Sequence, residues 1–192
     1  ISIYVAICIR LMPEWGVWIW VLCVVSGFGC HSRQCRLADY YRQIHLFFLK
    51  GKEGSEMDDA SKQVELYREM KWGKQPLQKL FQFFYVNYTA TQEKETPWFQ
   101  KLKAAIRAKY PDQLPESVRN DCREGSLPLM KYTNWLSFNI RVLALFVAIF
   151  IGMPWVYFAF ELTVLNIMLV YMIIRHEHIC RHFINDINNG KF

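Results

Sequence analysis

The chain has 192 residues, 53% of them hydrophobic and 16% aromatic, with a formal net charge of +6. Residues 31–137 hold 18 of the 23 Lys and Arg and 13 of the 17 Asp and Glu, while residues 1–30 and 138–174 carry almost none. A charge at a bilayer centre is costly, and a soluble globule spreads its apolar residues in short periods, so this partition excludes an ordinary soluble domain and points to a membrane protein.

The chain opens at Ile1 inside an apolar run, with no basic leader and no small-residue cleavage site, so Ile1–Ile9 does not read as a signal peptide. It reads as the second half of a helix whose beginning is missing, and a truncated chain is expected. Trp15–Ser32 then gives 18 uncharged positions. As a helix that is roughly 27 Å, close to the hydrocarbon thickness of about 30 Å. Pro13 and Glu14 make a reasonable helix start before it. With Ile1–Leu11 as antiparallel partner, residues 1–30 form a first transmembrane hairpin.

Residues 31–137 are expected to be a helical, water-exposed insertion. Lys50–Asp59 has two glycines and many charges and reads as a loop. Leu77, Leu80, Phe81, Phe84, Tyr85 and Tyr88 recur at helical spacing. Thr96-Pro97 is a good helix start, a capping hydroxyl followed by Pro in the first turn. Trp98, Phe99, Leu102, Ala105 and Ile106 then share one face. The two faces either pack against each other or lie on a membrane surface with basic residues toward the headgroups.

Val142–Ile174 is apolar except for Glu161. One helix of that length would be about 50 Å, too long for an upright span. Gly152-Met153-Pro154 sits near its middle, and Pro disfavours helix at its own position and before it. A second hairpin over residues 138–174 is therefore expected, with helices near Ser137–Ile151 and Trp155–Ile174. Trp15 and Trp155, beside the two turns, suit the membrane interface. Residues 175–192 form a basic tail. The excess of Lys and Arg places the insertion and the tail in the cytoplasm and the turns outside. The expected fold is an all-α polytopic bundle of two transmembrane hairpins with a helical cytoplasmic insertion.

Six cysteines offer no C-x-x-C pair and are expected as free thiols. Glu161 is the one carboxylate within a span, and Arg141 and Asn166 are positioned to share a polar cavity with it. Such a group either fixes helix packing or marks a functional site. Arg33 and Arg36, after His31, either anchor the span or bind a phosphorylated substrate, because a guanidinium donates two parallel hydrogen bonds. Asp39, Tyr40, Tyr41 and Arg42 continue that stretch toward a polar headgroup. His176, His178, Cys180 and His182 resemble a metal cluster, yet only His178 and His182 have the spacing of a helical pair. No metal ligand is assigned. The Asn87-Tyr88-Thr89 acceptor pattern falls on the cytoplasmic side and is set aside. No Gly-rich phosphate loop, G-x-S-x-G or H-E-x-x-H is present. Anionic lipid headgroups or a phosphorylated substrate are better partners for the positive charge than nucleic acid.

The stretch WIWVLCVVSGFGCHSRQCRLADYYRQIHLFFLK (residues 18–50) and the stretch NIRVLALFVAIFIGMPWVYFAFELTVLNIMLVYMIIRHEHICRHF (residues 139–183) resemble the C-terminal part of CDP-alcohol phosphatidyltransferases of the Bacteroides type. The resemblance implies a six-span phospholipid-synthesis enzyme of the bacterial inner membrane. It implies transfer of a phosphatidyl-type group from a CDP-linked lipid donor to an alcohol acceptor with release of CMP. It also implies Mg²⁺ or Mn²⁺, held by a signature D-x-x-D-G-x-x-A-R followed by G-x-x-x-D-x-x-x-D whose last Asp is the general base. That signature is absent. Asp39, Asp58, Asp59, Asp112, Asp121 and Asp186 stand in no such context, so no catalytic residue and no metal ligand is carried over. The chain is expected to be inactive alone, and a homodimer is compatible with it. The alternative is a non-enzymatic four-span protein whose cytoplasmic helices bind a partner or the membrane surface.

Overall fold

A computed structural model describes residues 2–50, 58–110 and 114–190. Every regular element among them is helical: α1 (Ser2–Trp15), α2 (Trp18–Val24), a π-helix (Val25–His31), α3 (Ser32–Lys50), α4 (Ala60–Glu69), α5 (Pro76–Glu95), α6 (Pro97–Lys109), α7 (Glu116–Ser126), a 3₁₀ turn (Leu127–Leu129), α8 (Met130–Leu136), α9 (Phe138–Phe150), α10 (Trp155–Leu162) and α11 (Val164–Asn188). The chain divides into two compact units. One comprises residues 1–41 and 129–174, the other residues 42–128 and 175–192. Part of the loop expected over Lys50–Asp59 lies outside the described residues.

In the first unit both expected helix breaks are present, the first displaced toward its glycine and the second at Gly152-Met153-Pro154. The first falls at Gly16-Val17, with Gly16 at φ 58° and its N–H donating to the Met12 carbonyl. Pro13 thus lies in the last turn of α1 and does not start the next helix, which begins at Trp18. Gly16 can take the left-handed conformation that closes a helix, and Trp15 and Val17 can do so only with strain. Gly152, at φ 74°, ends α9 in the same way. Trp15 and Trp155 stack obliquely beside these turns, ring centroids 6.0 Å apart. The core between them is Ile7, Cys8 and Leu11 of α1, Ile19 of α2, Leu145 and Ala148 of α9, and Tyr157 and Phe158 of α10.

Much of the outside of this unit is apolar. Trp18, Val24 and Phe28 are exposed on the helix after the first turn, as are Leu143, Phe146 and Phe150 on α9 and Ile167, Val170 and Ile174 on α11. One helical run, Trp155–Asn188, is long and apolar enough to cross a membrane, and a second qualifies if the bent pair Glu116–Leu136 and Phe138–Phe150 counts as one span. The run stays helical through Thr163, whose N–H and hydroxyl both reach the Ala159 carbonyl. It also continues past Ile174, so the basic tail is helix as far as Asn188. α9 has 13 residues, about 20 Å.

The second unit packs α6, α7 and the end of α11 around Phe99, Leu102, Ile106, Val118, Cys122, Cys180 and Ile187. A Cβ at Gly125 would come within 3.0 Å of the Phe183 ring, so α7 approaches α11 closely there. Pro97 opens α6 in its first turn, but Thr96 does not cap it. The Thr96 hydroxyl turns back to the Gln92 carbonyl, and Glu177 accepts from the Trp98 N–H at 2.8 Å. A carboxylate is the stronger acceptor for an orphan N–H at a helix start, where it also meets the helix dipole. The Trp98 ring lies between Lys101 and Arg181.

Candidate functional site

The buried polar groups of the first unit converge on Glu161, which α10 presents to the interior with no exposed surface. Arg141, one helix earlier on α9, donates directly to Glu161 Oε1. The Tyr4 hydroxyl of α1 reaches both carboxylate oxygens, at 2.6 and 2.7 Å. Ser26 Oγ donates to Oε2, and His31 Nδ1 lies 3.0 Å from Oε1. The remaining donors of Arg141 are also used. Nη2 meets the Gln34 side-chain oxygen, and Nε donates to the Leu136 carbonyl at 3.2 Å. Gln34 Nε2 bridges the Glu161 carbonyl, at 3.1 Å, and Asn166 Oδ1, at 2.8 Å. Asn166 in turn donates to Cys30 Sγ.

The local backbone explains how Ser26 and His31 meet one carboxylate. They are five residues apart, and in an α-helix that spacing points them to different sides. Residues 25–31 are instead wound as a π-helix, whose i→i+5 bonding brings such residues to one side. Gly27 and Gly29 lie within it. A Cβ on Gly27 would sit 3.5 Å from the Tyr4 ring, an ordinary van der Waals distance, so that ring stands directly against the helix. The same ring packs on Tyr157 and Phe158, with centroids 5.8 and 5.7 Å away.

Three residues named from the sequence thus share one cluster. Glu161 and Arg141 touch, and Asn166 joins through Gln34. Tyr4, Ser26 and Gln34 gave no sequence signal. Tyr4 and Ser26 sit in apolar runs, and Gln34 is a lone amide in a basic stretch. His31, which precedes Arg33 and Arg36, contacts Glu161. Arg33 is exposed and Arg36 half-buried on α3, while Tyr40 and Tyr41 are buried. On α11, His176 is buried 3.7 Å from Cys180 Sγ, and His182 faces Asp186 at 3.2 Å. All six cysteines are free thiols.

The chemistry open to Glu161 is limited by its partners. A carboxylate has about four acceptor sites, and Tyr4, Ser26, His31 and Arg141 occupy them. That leaves no oxygen free to take a substrate proton or to ligate a cation. A hard divalent ion needs several oxygens converging on one point. Glu161 is the sole carboxylate in the cluster, and among the described residues no group of His, Cys, Asp or Glu is arranged for a metal ion. The residues of this cluster do not fit the ion that the resemblance implies. His31 is the member open to solvent, with 36% of its side chain exposed. The arrangement does one thing well: it ties α1, the π-helix, α3, α9, α10 and α11 to a single buried charge pair. In comparisons with known proteins, no family model, no curated protein and no solved structure matches this chain.

Proposed function

We propose that the first unit is embedded in a lipid bilayer and forms part of the wall of a CDP-alcohol phosphotransferase-type lipid enzyme, with the Glu161 cluster holding its helices in register. The observation that carries the embedding is the inverted partition of polarity. A buried ion pair and its hydrogen-bond partners occupy the interior, while Phe28, Phe146, Phe150 and Ile167 face outward. In water such an exterior would aggregate, whereas in hydrocarbon it is solvated and the polar groups must turn inward. The run Trp155–Asn188 supplies the length. The transfer chemistry rests on the resemblance of residues 18–50 and 139–183 to that family. In this reading the chain contributes an acceptor-side surface, with Arg33 and Arg36 toward the acceptor phosphate.

The saturation of Glu161 favours a second reading, a non-enzymatic membrane protein whose polar cluster is purely architectural. One experiment separates the two. Membranes containing this chain alone, and membranes containing the product of the full gene, are supplied with a CDP-linked lipid, candidate alcohols and Mg²⁺. CMP release dependent on the alcohol is expected with the longer product and not with the short one. Its absence in both, or an upstream coding sequence without the paired Asp signature, overturns the transferase reading. Extraction by alkaline carbonate, which strips peripheral proteins, separately overturns the embedding.

A further inference from the structure

The geometry points to the α4–α5 hairpin of the second unit as a docking element for an anionic bilayer surface, with Leu77, Phe81 and Phe84 turned to the bilayer and Lys71, Lys74 and the Trp72 ring at its tip. This surface is distinct from the embedded face of the first unit and does not depend on it.

The hairpin is inverted in polarity. Its two helices are joined by side-chain amides and a carboxylate, beside one tilted contact of the Tyr67 and Phe83 rings. Gln82 Nε2 donates to the Gln63 carbonyl at 3.2 Å and to the Gln63 side-chain oxygen at 2.7 Å. The Ala60 N–H donates to Glu93 Oε1 at 3.0 Å. Ala60, Gln63, Thr89 and Gln92 are the buried residues, and Leu77, Phe81 and Phe84 are 69%, 70% and 60% exposed. Those three lie at i, i+4 and i+7 and form one continuous stripe along α5. A helix pair closed by its own core would place them inside.

Charge decides what covers the stripe. From Met70 to Gln92 the chain has no acidic side chain, and Lys71, Lys74 and Lys79 are its only charged residues. Glu69, just before, is offset by Arg68. Lys79 is fixed at the hairpin tip, its Nζ donating to the Met70 carbonyl at 2.6 Å and lying 4.7 Å from the Tyr67 ring centroid and 5.7 Å from that of Trp72. Trp72 is exposed beside it. Laid flat on an anionic bilayer, the hairpin turns its apolar stripe about 5–10 Å into the headgroup and acyl boundary, while the cations and the Trp ring at its tip stay level with headgroup phosphate and carboxylate. Each surface Lys is worth about fivefold in affinity for such a membrane.

The test uses the full chain in bilayer nanodiscs of phosphatidylcholine, alone or mixed with phosphatidylserine. A photocrosslinking benzoylphenylalanine replaces Phe81, or Lys62 near the open end of the hairpin as a control. Lipid adducts at Phe81 are expected in the mixed bilayer and not at Lys62, and Lys71→Glu/Lys74→Glu should reduce them several-fold. In the unmodified chain, trypsin cleavage after Lys71 and Lys74 should be slower in the mixed bilayer than in phosphatidylcholine alone. Crosslinks from Phe81 to a second copy of the chain, or equal cleavage in the two bilayers, overturn the inference. Carbonate extraction reports on the first unit, so the two proposals fail separately.

Discussion

Arg141 and Glu161 stand twenty residues apart in sequence and form a direct ion pair with both side chains closed to solvent. Each is also bound to other polar groups, so neither charge is left to the surrounding apolar side chains. Removing one partner exposes the other to a desolvation cost that nothing offsets, typically about 3–5 kcal/mol. Glu161→Gln and Arg141→Met should therefore each lower the thermal midpoint of the purified chain sharply. The double variant Arg141→Met/Glu161→Leu should recover part of the loss, since paired apolar replacements are tolerated better than a lone charge. Single variants as stable as the parent would show that the pair does not hold the helices.

Tyr4 tests the contribution of α1 to the same carboxylate. Tyr4→Phe keeps the ring packed on Tyr157 and Phe158 and removes only the hydroxyl. Loss of a bond to a buried charged acceptor costs about 1–3 kcal/mol. The same change in a chain already carrying the double Arg141/Glu161 replacement should cost much less, because the acceptor is gone. Equal losses in both backgrounds would mean the hydroxyl acts elsewhere.

Acid should release a contact in the second unit. Burial pushes the Asp59 carboxyl upward, but hydrogen bonds and charge from Lys103 and Arg107 outweigh it and hold it below its ordinary value of 3.8. With the folded value depressed, the unfolded chain binds the proton more readily. The stabilisation is complete above about pH 4 and is lost as pH falls through the folded value. Asp59→Asn should lower the denaturation midpoint at neutral pH, and the gap to the parent should narrow at the most acid pH the fold survives. A gap independent of pH would remove the carboxylate from the account.

Arg33 and Arg36 separate acceptor binding from anchoring. If the full gene product transfers to a phosphorylated alcohol, Arg33→Ala and Arg36→Ala should raise the acceptor KM about tenfold, the scale of one charge-assisted bond, with the donor KM little changed. Variants that insert poorly but keep the parent's acceptor KM would make the pair an anchor of the preceding helix.

Much of the architecture was legible before any coordinates. Segregated charge, apolar runs and the Gly and Pro near positions 13–16 and 152–154 determined two helical hairpins and a helical middle, because those effects are local in the chain. Partners across the fold were not legible. The five-residue spacing of Ser26 and His31 means nothing until the backbone is wound as a π-helix, and Thr96 has the composition of a cap that Glu177, distant in sequence, provides instead. The apolar faces of α5 and α6 show the limit most clearly. Both repeat at helical spacing, yet Phe99, Leu102 and Ile106 are buried while Leu77, Phe81 and Phe84 remain outside. Periodicity determines that a face is apolar. It cannot determine what covers that face, because the hydrophobic effect is non-directional and rewards removal from water whatever the covering surface; for α6 only the tertiary structure decided it.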